Sequence, residues 1–387
     1  MIYLDNQATT PCDPRVLEAM WPWFAANTGN PHSIEHAAGR VAADAVAAAR
    51  AQIAALIGAE PREIVFTSGA TEANNLAIKG AARFAGPSPR RRLITAATEH
   101  KCVLESLRDL AAEGFDPVIL PVTPDGAPNP DALSEALATR TLLVSVMAAN
   151  NETGFLADIA ALSALAHKAG ARFHSDLAQA AGKIPIDVNA LGIDLASLSG
   201  HKLHGPPGIG ALYVRHRPRM RLAPLVSGGG QERGLRAGTV PTALAVGFGE
   251  ACALARAALH DEPARIAALR DRLLTGLRSC IPNLAVNGPL DRRLPGNLSV
   301  RFPGVLALDL IAACPRLAVS TGSACTSAEV APSHVLTALG VPQAEAATTL
   351  RLSIGRFTSP ADIDNAVHIL ADAYAALAPA PRKLAKA

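Results

Sequence analysis

Six cysteines are scattered along 387 residues without a single C-x-x-C pair: Cys12, Cys102, Cys252, Cys280, Cys314 and Cys325. That spacing fits neither a zinc knuckle nor a dense disulfide framework, so most of these thiols are expected to pack as small apolar side chains. Long apolar runs are missing too. No uncharged stretch approaches the ~18 residues that crossing a bilayer requires. The opening MIYLDNQATTP lacks the basic region and apolar stretch of a secretory signal. A cytoplasmic protein with no membrane partner is the expectation. Charge of either sign is scarcely in excess, with 36 Lys and Arg against 33 Asp and Glu, which gives no polyelectrolyte character and no reason to expect nucleic acid as a partner. No internal repeat is present, and only PAPRKLAKA at the end reads as disordered.

What the chain does have is apolar residues, 49% of the total, enough for a large core and more than one domain. From Glu63 onward, short β-rich runs (EIVFTS, RRLITAA, DPVILPV, TLLVSVM, ARFHSD, IDLASLS, GIGALYV) alternate with Ala-rich helical stretches. Such alternation predicts an α/β fold with a mostly parallel sheet between helices, whose ligands sit beyond the C-terminal strand ends. Residues 233 to about 276 read as a long helix. A boundary near 255 divides a large domain over 14–255 from a smaller α+β domain over 1–13 and 256–380, followed by a flexible tail over 381–387.

Candidate chemistry lies at those strand ends. Lys202 in SGHK directly follows the apolar run IDLASL, where a lysine can form a Schiff base with an aldehyde cofactor and where Ser199 and His201 offer hydrogen bonds to a phosphate. Asp176 ends ARFHSD; it reads either as a helix cap or as the partner of a protonated pyridine nitrogen. FTSGATEANNLAIKG gives a strand, a small-residue turn and a helix starting near Thr71, either a simple cap or a phosphate site made of exposed N–H groups. His100 in TEHK is placed to stack on a flat ring and move protons. Thr71, His100, Asn151, Asp176 and Lys202 all fall just past successive strands, a complete inventory for pyridoxal phosphate (PLP). Cys325, in the small-residue run VSTGSACTSAEVAPSH, reads as a loop thiol that needs a neighbouring base or the cofactor's charge for activation.

These residues closely resemble the cysteine desulfurases of the nitrogen-fixation and iron-sulfur-cluster type, within the class-V aminotransferase group of fold-type I PLP enzymes. The resemblance runs almost end to end, through YLDNQATTP, GNPHS, FTSGATEANNLAIKG, TEHK, NNETG, FHSDLAQAAGK, SGHKLHGPPGIGALYV, GGGQERGLRAGT, TGSACTS and RLSIGRFT. It implies that Lys202 binds the cofactor's aldehyde, His100 stacks on the ring, Asp176 pairs with the ring nitrogen and Gln179 bonds the phenolic oxygen. The phosphate cup maps to Ala70, Thr71, Ser199, Gly200 and His201, with Thr239 reaching in from the second subunit of a homodimer. Asn151 and Arg351 match the residues that hold the substrate carboxylate. Cys325 matches the thiol that takes sulfur from L-cysteine as a persulfide. It then passes that sulfur to an acceptor such as an iron-sulfur scaffold protein, where Cys325 could also ligate a shared cluster. The tail PAPRKLAKA departs from the family's scaffold-docking end.

Two other readings use the same sequence. An aminotransferase or selenocysteine lyase would keep the PLP site and make Cys325 dispensable. A zinc metallopeptidase would use His32, Glu35 and His36, which spell H-x-x-E-H and would have to lie on one helix to share a metal.

Overall fold

The computed structural model describes residues 1–322 and 333–378; Cys325 and the tail 381–387 lie outside the described residues. Twelve strands occur among the described residues. β1 (Ile2–Tyr3) is followed by β2 (Ile64–Thr67), β3 (Arg92–Ala96), β4 (Asp116–Leu120), β5 (Thr141–Ser145), β6 (Arg172–Asp176), β7 (Leu195–Ser199) and β8 (Gly210–Val214). β9 (Ala285–Val286), β10 (Asn297–Arg301), β11 (Leu317–Ala318) and β12 (Thr349–Ser353) complete the set. β2 to β8 form one sheet in the order β2-β8-β7-β6-β5-β3-β4. Neighbours from β7 through β4 pair in parallel, and β8 alone runs against its two neighbours.

Burial on both faces explains the unbroken apolar runs in the sequence. Val65, Leu93, Leu143, Leu195 and Leu212 pack on one side with Leu76 and Ala77 of the helix Ala70–Ala85. Their alternate neighbours Phe66, Ile94, Val144, Phe173, Leu198 and Tyr213 pack on the other, against Ile53 of the helix Ala37–Leu56 and Phe248 of the helix Thr242–Ala258. Period-two alternation thus serves two buried faces at once. Gly210 at the start of β8 needs to be glycine, because an added Cβ would meet Leu198 O at 2.5 Å and Gly69 Cα at 2.6 Å.

A second core gathers Leu4, Leu273, Leu277, Leu298, Val300, Phe302, Leu350, Leu352, Ile363 and Leu370 around the three-stranded sheet β12-β10-β9. The first thirteen residues tie this second core to the turn that follows β7. β1 pairs with β11, Leu4 enters the second core, and farther on Thr10 N and Asp13 N donate to the carbonyls of His201 and His204. Buried Asp13 pairs with Arg15 and Arg356, and the Arg15 hydrogen bond holds its carboxyl far below the usual range.

The expected long helix over 233–276 is two helices, Thr242–Ala258 and Glu262–Cys280, bent by 77°. Pro263 sits in the first turn of the second helix, where its missing N–H costs nothing and its ring forbids a continuous helix. Arg233 lies in a short turn with φ 57°, ahead of Gly234 and Gly238. No single described helix is long and apolar enough to cross a membrane.

Candidate active site

The C-terminal ends of β2, β3, β5, β6 and β7 open into one cavity of about 560 Å³. Ala70, Thr71, His100, Asn151, Asp176, Gln179, Ser199, His201, Lys202 and Arg351 all border it. Two expected residues do not. Gly200 is buried under Pro206 and Ile209, where a Cβ would meet Pro206 O at 2.9 Å, so its lack of a side chain serves packing. Thr239 is exposed and away from its own chain's cavity.

Lys202 ends a short 3-10 turn running directly out of β7. Its Nζ donates to the carbonyls of Gln7 (2.5 Å) and Ala8 (2.7 Å), so the segment near the start of the chain holds the amine in place. Asp176, at the last position of β6, accepts from Ala178 N through Oδ1 (2.8 Å) and from Asn74 Nδ2 through Oδ2 (2.7 Å). The carboxylate therefore does cap a turn, while still bordering the cavity. Asn74 is fully buried, and its Oδ1 has no partner among the described residues.

The helix Ala70–Ala85 begins at Gly69 with no side-chain cap, so the N–H groups of its first turn are not taken up by a neighbouring hydroxyl or carboxylate acting as N-cap. Thr71 is not the cap; its carbonyl accepts from Asn75 instead. His201 Nδ1 lies 3.1 Å from Thr9 Oγ1. Burial and the nearby ammonium groups of Lys202 and Lys183 push its pKa down to about 4. A helix start with open donors, a hydroxyl and a neutral imidazole that can offer an N–H suits a phosphate dianion.

His100 caps the helix Lys101–Ala112: the Cys102 N–H donates to His100 Nδ1 (3.2 Å), and Cys102 Sγ lies 3.0 Å from the same nitrogen. Because Nδ1 accepts, the neutral ring carries its proton on Nε2. Both the cap and the catalytic reading of this histidine are thus compatible with one geometry.

Arg351 comes from β12. Its Nη2 pairs with Asp5 Oδ1 (2.8 Å), and its Nη1 donates to the carbonyls of Asn151 (2.8 Å) and Gly322 (3.4 Å). Its Nε is buried without a partner among the described residues. The flanks of segment 323–332 rest on the same neighbourhood. Ser333 Oγ donates to Glu152 Oε2 (2.5 Å), His334 Nε2 lies 2.9 Å from the Glu99 carbonyl, and burial raises the pKa of Glu152.

Sequence reading missed Gln7, Asn74 and Cys102 as cavity components, and Asp5 as the partner of Arg351. Asp5 and Gln7 meet partners about 200 to 350 positions away, and Asn74 meets one 102 positions away. No local pattern marks such contacts. Cys102, two residues from His100, carried a signal only in its i, i+2 spacing at a helix start. His32, Glu35 and His36 do not lie on one helix: they form a turn ahead of Ala37, and His36 accepts from Gly39 N as the helix cap. Among the described residues no group of three His, Cys, Asp or Glu side chains is placed to hold a metal.

The chain matches the aminotransferase class-V family over residues 2–366. It is 50% identical over 369 residues to "Cysteine desulfurase IscS" of Rickettsia bellii (strain OSU 85-389), covering 95% of this chain and 90% of the relative. Among solved structures, a "NIFS-LIKE PROTEIN" superposes with a TM-score of 0.90 at 34% identity, covering 97% of this chain and 100% of the other. "SspA in complex with cysteine" superposes with a TM-score of 0.82 at 38% identity, covering 93% and 100%. With a fold, a strand-end cavity and near full-length similarity all in agreement, this chain belongs to the class-V aminotransferase family and, within it, to the cysteine desulfurases.

Proposed function

We propose that this protein is a PLP-dependent cysteine desulfurase (EC 2.8.1.7) that removes sulfur from L-cysteine, releases L-alanine and carries the sulfur on Cys325. One observation supports this above others: an amine, a carboxylate, an imidazole and a guanidinium meet in a single cavity at the sheet's C-terminal edge. The residues present fit the cofactor. Asp176 suits a protonated ring nitrogen, Gln179 a phenolic oxygen, and the uncapped helix start with Thr71, Ser199 and His201 a phosphate.

PLP, when bound, supplies an aldehyde for the substrate's amino group and a protonated ring that draws electrons from Cα. Lys202 Nζ, which the Gln7 and Ala8 carbonyls hold at the cavity, would take the Cα proton. Asp176 keeps the ring nitrogen's proton in place. Arg351, with Asn151, binds the substrate carboxylate and fixes the side chain's direction. Cys325, as thiolate, attacks the substrate sulfur: an S–S bond forms, the C–S bond breaks, and the carbon fragment is reprotonated to alanine.

Several further assignments belong to this reading. Residues 14–255 form the large PLP-binding domain, and residues 1–13 with 256–380 form the small one. The working unit is a homodimer in which Thr239, exposed on its own chain, completes the partner's phosphate cup. The enzyme acts in the cytoplasm and passes its sulfur to an acceptor protein such as an iron-sulfur scaffold.

Two variants test the reading together. Lys202→Ala should lose cofactor retention and at least about a thousandfold in turnover, the scale expected when a general base is removed. Cys325→Ser should stay yellow and bind cysteine yet release no alanine, while mass spectrometry of wild type finds a thiol-reducible extra sulfur on Cys325. Alanine release by Cys325→Ser at the wild-type rate, without added thiol, would replace the desulfurase with a lyase.

A further inference from the structure

Lys183 lies four residues beyond Gln179, on the turn that leaves β6, and its Nζ donates to Gln179 Oε1 at 3.0 Å. On its other side the Gln179 amide donates through Nε2 to the Gln7 carbonyl at 2.9 Å. An ammonium has only donors and a carbonyl only acceptors, so these two partners leave one orientation for an amide whose ends are otherwise nearly equivalent in shape. The Gln7 carbonyl is the same one that receives Lys202 Nζ.

We propose that Lys183 is a positioning residue for Gln179: its ammonium holds Oε1 and so dictates that the amide offers N–H, never C=O, to an anionic oxygen in the cavity. The inference rests on the PLP reading above, in which that oxygen is the cofactor's phenolic one.

The setting makes Lys183 more than a chance donor. Burial, and then the positive charges of Lys202 and Arg351, push its pKa down to about 7. Around it a smaller cavity of about 50 Å³ is lined by Leu203, Ile266 and Leu294 together with Lys202, His204, Glu262 and Arg356. None of these relieves it. Burial holds His204 down at about 4, and Glu262 is engaged by Arg356 at 2.9 Å. Among the described residues no carboxylate stands within ion-pair distance of Lys183, so Gln179 is its one described acceptor. A neutral or apolar side chain there would relieve the desolvation and lose the orientation.

Binding separates this role from a merely structural one. Apoprotein is titrated with PLP to obtain a dissociation constant, and the bound cofactor's visible absorbance is followed against pH. Lys202, Arg351, His201 and Asp176 also face the cofactor, and all four are kept unchanged. Lys183→Met is expected to weaken PLP binding about tenfold, the scale of one charge-assisted hydrogen bond. The absorbance midpoint should rise, because an oxygen that loses a donor holds its proton more tightly. Lys183→Arg should restore both.

In a Gln179→Leu background Lys183→Met should add nothing further, since the orienting group then has nothing to orient. Unchanged affinity and midpoint in Lys183→Met, or effects that add in full to those of Gln179→Leu, would overturn the proposal while leaving the cofactor reading standing. Failure of wild type itself to bind PLP would instead remove that reading. Should Lys183→Met not fold, Lys183→Gln takes its place, with a smaller loss expected because its amide is able to donate without dictating direction.

Discussion

The floor and the wall of the cavity are built in opposite ways. On the floor, Asp176 and Lys202 project from the ends of β6 and β7 or from the turn directly after, and backbone groups already hold them: Ala178 N on one, the carbonyls of Gln7 and Ala8 on the other. In the wall, Arg351 reaches over from the three-stranded sheet, is balanced by Asp5 from the far end of the chain, and keeps a buried Nε without a described partner. The floor is finished by the fold. On the proposed function, the wall is finished by the substrate's carboxylate. Chemistry is therefore expected to fail when the floor changes, and recognition when the wall does.

Asp176→Asn tests the floor and should have the largest effect of these substitutions. It preserves shape, keeps the Ala178 N–H acceptor and can meet Asn74 if that amide turns its unpartnered Oδ1 inward, but it removes the charge that would keep a ring proton, and kcat is expected to fall by roughly 10² to 10³, with little change in KM. Stopped-flow spectra with cysteine check that the slowed step follows binding. Near-normal turnover would reduce Asp176 to a turn cap.

For the wall, Arg351→Lys should leave kcat within a few-fold and raise KM for cysteine by about one order of magnitude, because a point charge replaces a planar fork. Steady-state kinetics over a range of cysteine concentrations distinguish the two outcomes. A fall in kcat equal to the rise in KM would erase the contrast between floor and wall.

The smallest effect is expected beneath the floor. His174 on β6 is buried between Ser145 Oγ (2.8 Å) and Ser197 Oγ (3.0 Å), and burial pushes its pKa from 6.5 down to about 3. Between those values the unfolded chain binds a proton that the folded one refuses, so stability is lost as pH falls below 6.5, by about 1.4 kcal/mol per pH unit. His174→Gln should flatten that slope and leave kcat at neutral pH unchanged within about twofold. Urea midpoints measured at several pH values read it directly, and an unchanged slope would show that other groups carry the acid sensitivity.

How much of this was legible in the sequence follows from the distance over which each signal acts. The strands were readable because two-sided burial writes a continuous apolar run, as in IDLASLS, and strand ends carry their own chemistry, as in SGHK and HSD. The bend between Thr242–Ala258 and Glu262–Cys280 was hidden by alanine-rich periodicity on both sides, though Pro263 marked it locally. Residues such as Asn74, whose amide meets Asp176 across 102 positions, leave no local trace: an asparagine early in a helix looks the same whether it faces water or a carboxylate. The small size of Gly200 likewise answers to Pro206 and Ile209, neighbours that the SGHK motif does not announce.

The segment from Ile2 to Asp13 enters the second core at Leu4, hydrogen-bonds to the turn around Lys202 through Thr10 and Asp13, and supplies the two carbonyls on Lys202 Nζ. In engineering terms these residues are a bracket for the candidate active site rather than a spare end for attaching things. A tag, a fusion or a trimmed residue there pulls on a cord tied to the Lys202 amine. Such a change should be read first in the colour of the protein and only later in its melting temperature.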